Sequence, residues 1–238
     1  KTPFMYSRSE TVMIKTATNT LSASRITRPN NYFNTVNVNS EILQLRSKEL
    51  MRNTIERVQA DISYSIMSGL RKIELYKSAP YSIHFLGIKS DVYAALTIEN
   101  KSNNEVVLSN FSTGDPKKSI TVKLNQEVNT PLGKVIIKPT SSFQNREKNE
   151  EIRVEKFPVE SLVGSYLGNL NIEQMEDAAI LKISLQDASA QRAAEVITAL
   201  IQVYNEMSVK DKNQIAVNTA AFIKERIAII ESELGSVE

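Results

Sequence analysis

The sequence contains no cysteine and no tryptophan, and its single histidine is His84. The lack of cysteine excludes disulfide bonds and thiolate zinc sites, and one histidine is too few for a zinc site built on imidazole ligands. Only 7 glycines are present, and neither a P-loop nor a Gly-x-Ser-x-Gly nucleophile elbow occurs. We therefore predict that the chain holds no metal and no cofactor.

Charged and aromatic residues also argue against several classes of ligand. The 29 basic and 27 acidic residues are interspersed and leave a net charge of +2, so no basic face predicts binding to DNA or RNA. Phenylalanine and tyrosine make up 6% of the sequence, which argues against a cleft in which sugar rings stack on aromatic side chains. No apolar run reaches the roughly 18 residues that a membrane-spanning helix needs.

The first part of the chain combines a strand, a polar segment and a helix. The alternation around Val12 and Ile14 predicts a strand, and the Asn-, Thr- and Ser-rich residues 16–39 predict a loop. Ser40 is expected to cap a helix that ends before Gly69. The apolar face of this helix comprises Ile42, Leu45, Met51, Ile55, Val58 and Ile62.

In residues 71–140, apolar residues alternate with polar ones, which is a period of two. Their short β-favouring runs, separated by turn-forming residues, predict a meander of about five or six strands. The runs are KIELY, YSIHFLGI, VYAALTIE, EVVLS, SITVKL and GKVIIKP. The stretch STGDPKKS at 112–119 lacks the spacing of a P-loop, so a hairpin turn is expected there. A polar connector follows, and a further strand is predicted near 152–154.

Residues 158–189 predict a short helix, a strand and the start of another helix. Pro158 is tolerated in the first turn of a helix, and alternation in LKISL puts three apolar residues on one strand face. Asp187 and Ser189 are alternative N-caps for the helix that follows. The stripe of the short helix is Leu162, Tyr166 and Leu170, and the strand face is Leu181, Ile183 and Leu185.

The C-terminal region predicts one long helix from Ala190 to Leu234, because no proline or mid-run glycine interrupts it. Its roughly 45 residues would span about 65 to 70 Å, whereas a compact domain of this size is about 35 to 40 Å across. The helix must therefore leave the domain. The alternative is a turn in the polar run 208–214 between two helices folded back on each other, although this run lacks glycine and proline.

Two apolar stripes follow each other along this helix on different faces. The first can pack on the sheet, and the second needs another helix or another subunit. The second stripe continues to the last residues of the sequence, and the first residues show no signal-peptide pattern. We therefore interpret the sequence as a fragment of a longer protein. A processed protein with a disordered tail is the alternative. The stripes are Ala193, Ile197, Leu200, Tyr204 and Met207, then Ala216, Ala220, Ile223, Ile227, Ile230, Leu234 and Val237.

No group of residues predicts catalysis. His84 lies in a strand-like run opposite Ile83 and Phe85, where a structural or surface role is expected. A pair of carboxylates could serve a glycosidase, but the acidic clusters are interpreted as solvated charge. These clusters are Glu173, Glu176 and Asp177, and Glu231, Glu233 and Glu238. We predict no catalytic residue.

The stretch ILKISLQDASAQRAAEVITALIQVYNEMSVKDKNQIAVNTAAFIKERIAIIESEL combines a strand, an Asp-led helix start, an alanine-rich helix with Val203 and Tyr204, a lysine-bearing polar run and a heptad helix. This order resembles the periplasmic core of the polysaccharide co-polymerases, the Wzz-type chain-length determinants, including the branch with a cytoplasmic tyrosine autokinase. Near the start, YSRSETVMI and NSEILQLRSKELMRNTIERV are similar to the strand after the first membrane helix and to the first domain helix. Ala188 departs from the proline that many relatives have there.

The resemblance implies an α+β fold with three parts. These are a membrane-proximal α/β domain (1–70 and 141–188), a β-rich insert (71–140) and a long projecting helix (189–238) that is truncated at its C-terminal end. The implied function is a non-catalytic, periplasmic oligomerisation domain of an inner-membrane protein that regulates chain length, polymerisation or export of capsular polysaccharide or exopolysaccharide. The expected partners are further copies of the protein, the polymerase or export machinery, polysaccharide, and the membrane through spans outside this sequence.

Two other functions are open at this point. A periplasmic membrane-fusion adaptor of a secretion or efflux system also joins β-domains to a long helical hairpin, although no lipoyl-like half-motifs flank the helix here. A polysaccharide-modifying enzyme would need two carboxylates in a cleft.

Overall fold

The fold belongs to the α+β class, as the sequence predicts. A computed structural model describes residues 4–14, 32–115, 117–145, 150–175 and 179–235, without the side chains of residues 32–37, 145 and 231–235. Within these ranges, every strand pair is antiparallel. No helix in the described ranges is long and apolar enough to cross a membrane.

The strands are β1 (Tyr6–Met13), β2 (Ile62–Ser68), β3 (Arg71–Glu74), β4 (Tyr81–Leu86), β5 (Ala94–Asn100), β6 (Glu105–Ser109), β7 (Ile120–Lys123), β8 (Glu127–Thr130), β9 (Gly133–Pro139), β10 (Glu151–Lys156), β11 (Leu170–Gln174) and β12 (Ile180–Asp187). The helices are α1 (Tyr32–Leu45), α2 (Lys48–Val58), α3 (Val159–Asn169) and α4 (Ala190–Gly235). Short 3₁₀ turns lie at Tyr76–Ser78 and Ser141–Asn145.

The strands form three sheets, with the orders β1-β12-β11, β3-β2-β10-β5-β6-β7 and β4-β9-β8. In the first sheet, β1 pairs with β12 from Tyr6 opposite Asp187 to Met13 opposite Ile180. This register brings the beginning of β1 beside the end of β12, where α4 starts. The start of β1 and the start of α4 therefore lie at the same end of the molecule.

One hydrophobic core lies between the three-stranded sheet of β12 and the helices. The alternation in β12 buries Leu181, Ile183 and Leu185 completely, as predicted, and they share this core with Ile197 and Leu200 of α4. Helices α1, α2 and α3 contribute further apolar side chains, among them Val38, Leu50, Met51, Ile55, Val163 and Tyr166.

A second core is shared by the six-stranded sheet and the β4-β9-β8 sheet. It contains Leu96 and Ile98 of β5 and Ile83 of β4. It also contains Ile62 of β2 and Val154 of β10, which lie outside residues 71–140. The β-rich part therefore draws part of its core from the two flanking segments of the chain, and the domain boundaries given above stay a prediction.

The helical prediction near the N-terminus is wrong in its bounds. Helix α1 already begins at Tyr32, so the predicted loop is wrong for residues 32–39, and residues 16–31 lie outside the described ranges. Ser40 lies inside α1 and does not cap it. Asn and Thr have a low intrinsic helix propensity, so the sequence pattern did not predict this helix. Tertiary packing against α4 outweighs the low propensity.

Two local signals divide the predicted helix. Ser47 is the N-cap of α2, and its Oγ accepts a hydrogen bond from the amide of Leu50 at 3.2 Å. Gln59 adopts a left-handed conformation with φ of 54° and ends α2 well before Gly69. Ile62 therefore lies in β2 and not on the helix.

In the middle of the chain the predicted runs form strands, but they belong to two sheets instead of one meander. Strand β8 (Glu127–Thr130) was not predicted, because it is short, polar and adjacent to turn residues. The hairpin turn at 112–119 is confirmed, since β6 and β7 on either side of it are paired. The strand near 152–154 is also confirmed as part of β10.

The short helix α3 is displaced from its prediction. Pro158 occupies the N-cap position and the helix begins at Val159. Leu170, predicted on the helical stripe, is the first residue of β11. The buried face of α3 is Val159, Val163 and Tyr166, so only Tyr166 is common to the predicted stripe and the fully buried face.

Helix α4 is continuous from Ala190 to Gly235, a length of 46 residues. The alternative of a turn in residues 208–214 is therefore wrong. Ser189 is the N-cap, because its Oγ accepts a hydrogen bond from the amide of Arg192 at 3.2 Å. At about 1.5 Å per residue the helix is about 69 Å long.

The unequal burial of the two halves of α4 predicts unequal effects of one substitution. Ile197 is 0% exposed and Ile227 is 50% exposed. Ile197→Ala leaves a cavity in the core and should reduce the free energy of unfolding by about 2 to 5 kcal/mol. Ile227→Ala should change it by less than about 0.5 kcal/mol. Urea unfolding of both variants measures the difference, and equal effects would show that the second half packs against the rest of the chain.

Candidate functional site

The base of α4 is held by one arginine between carboxylates from two different sheets. Arg192 is buried, and its Nε lies 3.0 Å from both carboxylate oxygens of Asp187, the last residue of β12. Its Nη2 donates to Asp187 Oδ1 at 2.8 Å, and its Nη1 lies 3.3 Å from Glu74 Oε1 at the end of β3. The first turn of α4 is thus joined to both the three-stranded and the six-stranded sheet.

Both carboxylates have further hydrogen-bond donors. Tyr166 Oη of α3 donates to Asp187 Oδ2 at 3.2 Å. Ser63 Oγ and the amide of Tyr64 donate to Glu74 at 2.6 and 3.2 Å. No buried side-chain nitrogen or oxygen within the described ranges lacks a partner. The group is fully paired, which is the arrangement expected of a structural anchor.

The pKa values at this anchor are shifted away from the physiological range. Burial lowers the pKa of the Arg192 guanidinium, but its hydrogen bonds to Asp187 outweigh this effect and raise it above its ordinary value. Burial raises the pKa of Tyr166 well above its usual range, and the neighbouring Asp187 carboxylate raises it further. Arg192 is therefore charged and Tyr166 is neutral at physiological pH.

A second contact group lies one turn further along α4, at Glu195. Its Oε2 accepts a hydrogen bond from Tyr76 Oη at 2.7 Å and lies 2.6 Å from Lys77 Nζ, while its Oε1 accepts from Gln191 at 3.1 Å. Burial tends to raise the pKa of Glu195, but the hydrogen bonds from Lys77 and Tyr76 lower it overall. Glu195 thus ties the helix to the 3₁₀ turn that follows β3.

Within the described residues, contacts between α4 and the rest of the protein end near residue 208. Thr198 Oγ1 donates to Glu10 Oε1 at 2.8 Å, and Arg57 of α2 forms two hydrogen bonds to Glu206, at 2.8 and 2.6 Å. Asn53 lies 3.8 Å from the sulfur of Met207. Beyond these contacts, every residue from 209 to 230 is exposed.

The exposed part of α4 carries the predicted apolar stripe, which we call the first row. Its largest members, Ile223, Ile227 and Ile230, are all about half exposed. Val209 was not predicted on this stripe, but it occupies the same heptad position as Ala216, Ile223 and Ile230. Leu234 and Val237, also predicted on this stripe, have no described side chain. The first row comprises Val209, Ala216, Ala220, Ile223, Ile227 and Ile230.

A second row on the same part of α4 was not predicted. It consists of Ile215, Phe222 and Ile229, which are exposed large hydrophobic residues. Their spacing of seven residues is the signal that could have revealed them. At about 100° per residue, this row lies roughly 120° around the helix axis from the first row. The exposed half of α4 therefore presents two apolar faces.

The other residues considered from the sequence do not join this arrangement. His84 is half-buried in β4 opposite Ile136, and burial together with nearby Lys138 lowers its pKa. Glu173 is exposed. Glu176, Asp177 and Glu238, and the side chains of Glu231 and Glu233, lie outside the described parts of the chain. The described residues include no cluster of three or more histidine or carboxylate side chains that could hold a metal ion.

No protein-family model matches the chain, and no curated protein is significantly similar to it. Any functional argument therefore depends on the geometry of α4 and on the sequence resemblance.

The anchor predicts a strong effect of replacing Arg192. Arg192→Met leaves Asp187 and Glu74 buried without their cation and should cost about 3 to 5 kcal/mol of unfolding free energy. The matched control is Arg57→Met, which removes an exposed pair with Glu206 and should cost less than about 1 kcal/mol. Urea unfolding measures both, and a small effect of Arg192→Met would contradict the anchoring role.

The lowered pKa of Glu195 predicts a pH dependence. Because its folded-state pKa is below the ordinary value of 4.5, the carboxylate stabilises the fold above about pH 4.5, and this contribution is lost as the pH falls through the lower folded-state value. Glu195→Gln should therefore be less stable than the original protein at pH 7, and the difference should shrink below pH 4.5. A difference that stays constant down to pH 3 in urea unfolding would contradict the assignment.

Proposed function

We propose that the chain is a non-catalytic assembly domain of the kind found in polysaccharide co-polymerases. In this proposal it lies in the periplasm as part of an inner-membrane protein. It forms homo-oligomers through α4, engages the polymerase or export machinery, and so regulates the chain length, polymerisation or export of capsular polysaccharide or exopolysaccharide. The sequence resemblance supports the choice of family, and the exposed apolar side chains on the second half of α4 support assembly through this helix.

The observation that carries the proposal is the bare second half of α4. A monomeric protein rarely leaves so many large aliphatic side chains on a continuous exposed surface. Complete burial of an isoleucine side chain contributes about 1.5 to 3 kcal/mol relative to full exposure. The three isoleucines of the first row, Ile223, Ile227 and Ile230, are half exposed. Burying their exposed parts against a partner would therefore contribute several kcal/mol to the free energy of association.

The presence of two rows favours partners on two sides of the helix. A helix in a two-stranded coiled coil needs one apolar stripe. A helix packed between two others needs two, and the rows centred on Ile227 and Phe222 lie roughly 120° apart. A side-by-side assembly in which each α4 lies between helices of its neighbours satisfies both rows.

The anchor at the base of α4 supports the same proposal. An assembly helix must leave the body of each subunit in a fixed direction if equivalent contacts are to repeat between subunits. Arg192 fixes this direction through Asp187 of one sheet and Glu74 of another. The carboxylates closest to the base of the helix are thereby occupied in ion pairs, and the proposal assigns no reaction to them.

The proposal predicts that a charge on either row impairs assembly without unfolding the domain. Ile227→Asp and Phe222→Asp should each retain the thermal unfolding of this chain but reduce oligomer formation by the full-length protein. The reason is that an unpaired carboxylate cannot be buried between helices at low cost. Sedimentation velocity of the detergent-extracted protein measures the oligomer, and gel analysis of the surface polysaccharide measures chain length.

The matched control is Ala221→Asp, which adds the same charge at an exposed position of α4 that lies roughly 100° or more around the helix axis from the centre of either row. It should leave both readouts unchanged. Normal oligomers and normal chain length with Ile227→Asp would contradict the proposal. Loss of cooperative unfolding would instead show that Ile227 belongs to the core of the chain.

A further inference from the structure

Exposed apolar side chains cluster at the end of the molecule opposite to the bare part of α4. Leu70 is 87% exposed, and Met67 is 66% exposed; both belong to the hairpin of β2 and β3. Phe4, just before β1, is 66% exposed. We call Phe4, Met67 and Leu70 the tip patch.

The backbone of the hairpin holds Leu70 outward. Ser68 pairs with Arg71 across the hairpin, so the loop consists of Gly69 and Leu70 alone. Gly69 has φ of +61°, as expected at the first central position of a type II′ turn. Residues in such turns are usually polar or glycine. A leucine here is exposed by a tight, regular turn and not by a loosely placed loop.

The hairpin and the start of β1 are in contact. The guanidinium of Arg71 lies over the ring of Phe4, 5.2 Å from its centroid. Phe4, Lys72 and Ile73 also line one cleft of about 520 Å³ together with Ala190, the first residue of α4. Since α4 runs away from this cleft for most of its length, the tip patch is separate from the two rows of the proposed assembly surface.

Charges beside the tip patch favour an anionic partner. The nearby carboxylates are engaged, because Glu74 pairs with Arg192 and Glu155 pairs with Lys72. Within the described ranges, no carboxylate lies within ion-pairing distance of the Arg71 guanidinium. The patch thus combines projecting aliphatic side chains, an aromatic ring and a guanidinium that stacks on this ring without a carboxylate partner within the described ranges.

This combination matches the interface of a lipid bilayer. Aromatic rings and arginine are favoured at the level of the headgroups, and aliphatic side chains insert just below it. A convex two-residue turn can enter a lipid surface, whereas docking of a folded protein usually needs a broad complementary surface. Acidic headgroups would supply the charge that the Arg71 guanidinium does not find within the described part of the protein.

We propose that the tip patch contacts an anionic membrane surface, with Leu70 and Met67 inserted between headgroups. The inference rests on the proposed function, because that function expects membrane spans outside this sequence, with β1 following the first of them. A few side chains bind a bilayer weakly by themselves. They become effective when attachment of the same chain raises their local concentration to the millimolar range.

The lack of cysteine in the chain permits a direct test by site-specific labelling. Leu70→Cys carries an environment-sensitive fluorophore, and the chain is attached through an N-terminal histidine tag to vesicles that contain nickel-chelating and acidic lipids. Ser7→Cys is the matched control, because it is exposed on β1 and lies three residues after Phe4 of the tip patch. Lipids brominated near the headgroup should quench the Leu70 probe at least about threefold more than the Ser7 probe, with a blue shift of its emission.

Two results would overturn the proposal. The first is equal quenching of the Leu70 and Ser7 probes on acidic vesicles. The second is a blue shift of the Leu70 probe that appears without vesicles as the protein concentration rises, which would assign the patch to a second copy of the chain. Either result would leave the assembly test with Ile227→Asp unaffected, so failure here is distinguishable from failure of the proposed function.

Discussion

The pairing of Arg192 with two buried carboxylates is the interaction on which the arrangement of this protein depends. Asp187 closes β12, Glu74 closes β3, and the guanidinium lies between them in the first turn of α4. Removing three charged groups from water is costly, and their mutual attraction and the surrounding hydrogen bonds must offset that cost. In return the pairing fixes how the two sheets and the long helix meet. The apolar core around Ile197 and Leu200 then provides most of the burial, but an apolar contact alone does not determine a direction as strictly as three oriented hydrogen bonds do.

Because the base of α4 is fixed, the direction of its exposed half is fixed as well. A helix of about 69 Å that leaves its domain can act only through what its surface contacts, and here that surface carries the row of Ile223, Ile227 and Ile230 and the row of Ile215, Phe222 and Ile229. In the proposed function, the protein therefore acts through this surface and not through a pocket. The tip patch at the other end of the molecule has the same property, because regular backbone also holds apolar side chains exposed to solvent there. Assembly along the helix and contact with a bilayer at its base are compatible, because the two surfaces share no residue.

Sequence reasoning succeeded where the pattern was local and long. Alternation placed Leu181, Ile183 and Leu185 on the buried face of β12, and the absence of glycine and proline identified α4 as one helix. It failed where local propensity was weak, as in α1, or where a short polar strand such as β8 is stabilised by its neighbours. The anchor could not be predicted, because Glu74 and Arg192 are brought together only by the packing of distant segments. The second row was not predicted, because its members occur only once in each heptad and lie on a different face of the helix from the first row.

The central claim is that α4 is one rigid helix whose second half stands free of the body of the chain. The most direct measurement is a distance between spin labels at Gln202→Cys and Glu225→Cys, determined by pulsed electron paramagnetic resonance. Both positions are exposed and the chain has no other cysteine. A continuous helix predicts a single narrow distribution near about 35 Å between the two backbone positions. A distance below about 20 Å would show that the helix folds back on itself, and the exposed rows would then be the inner faces of a hairpin instead of an assembly surface.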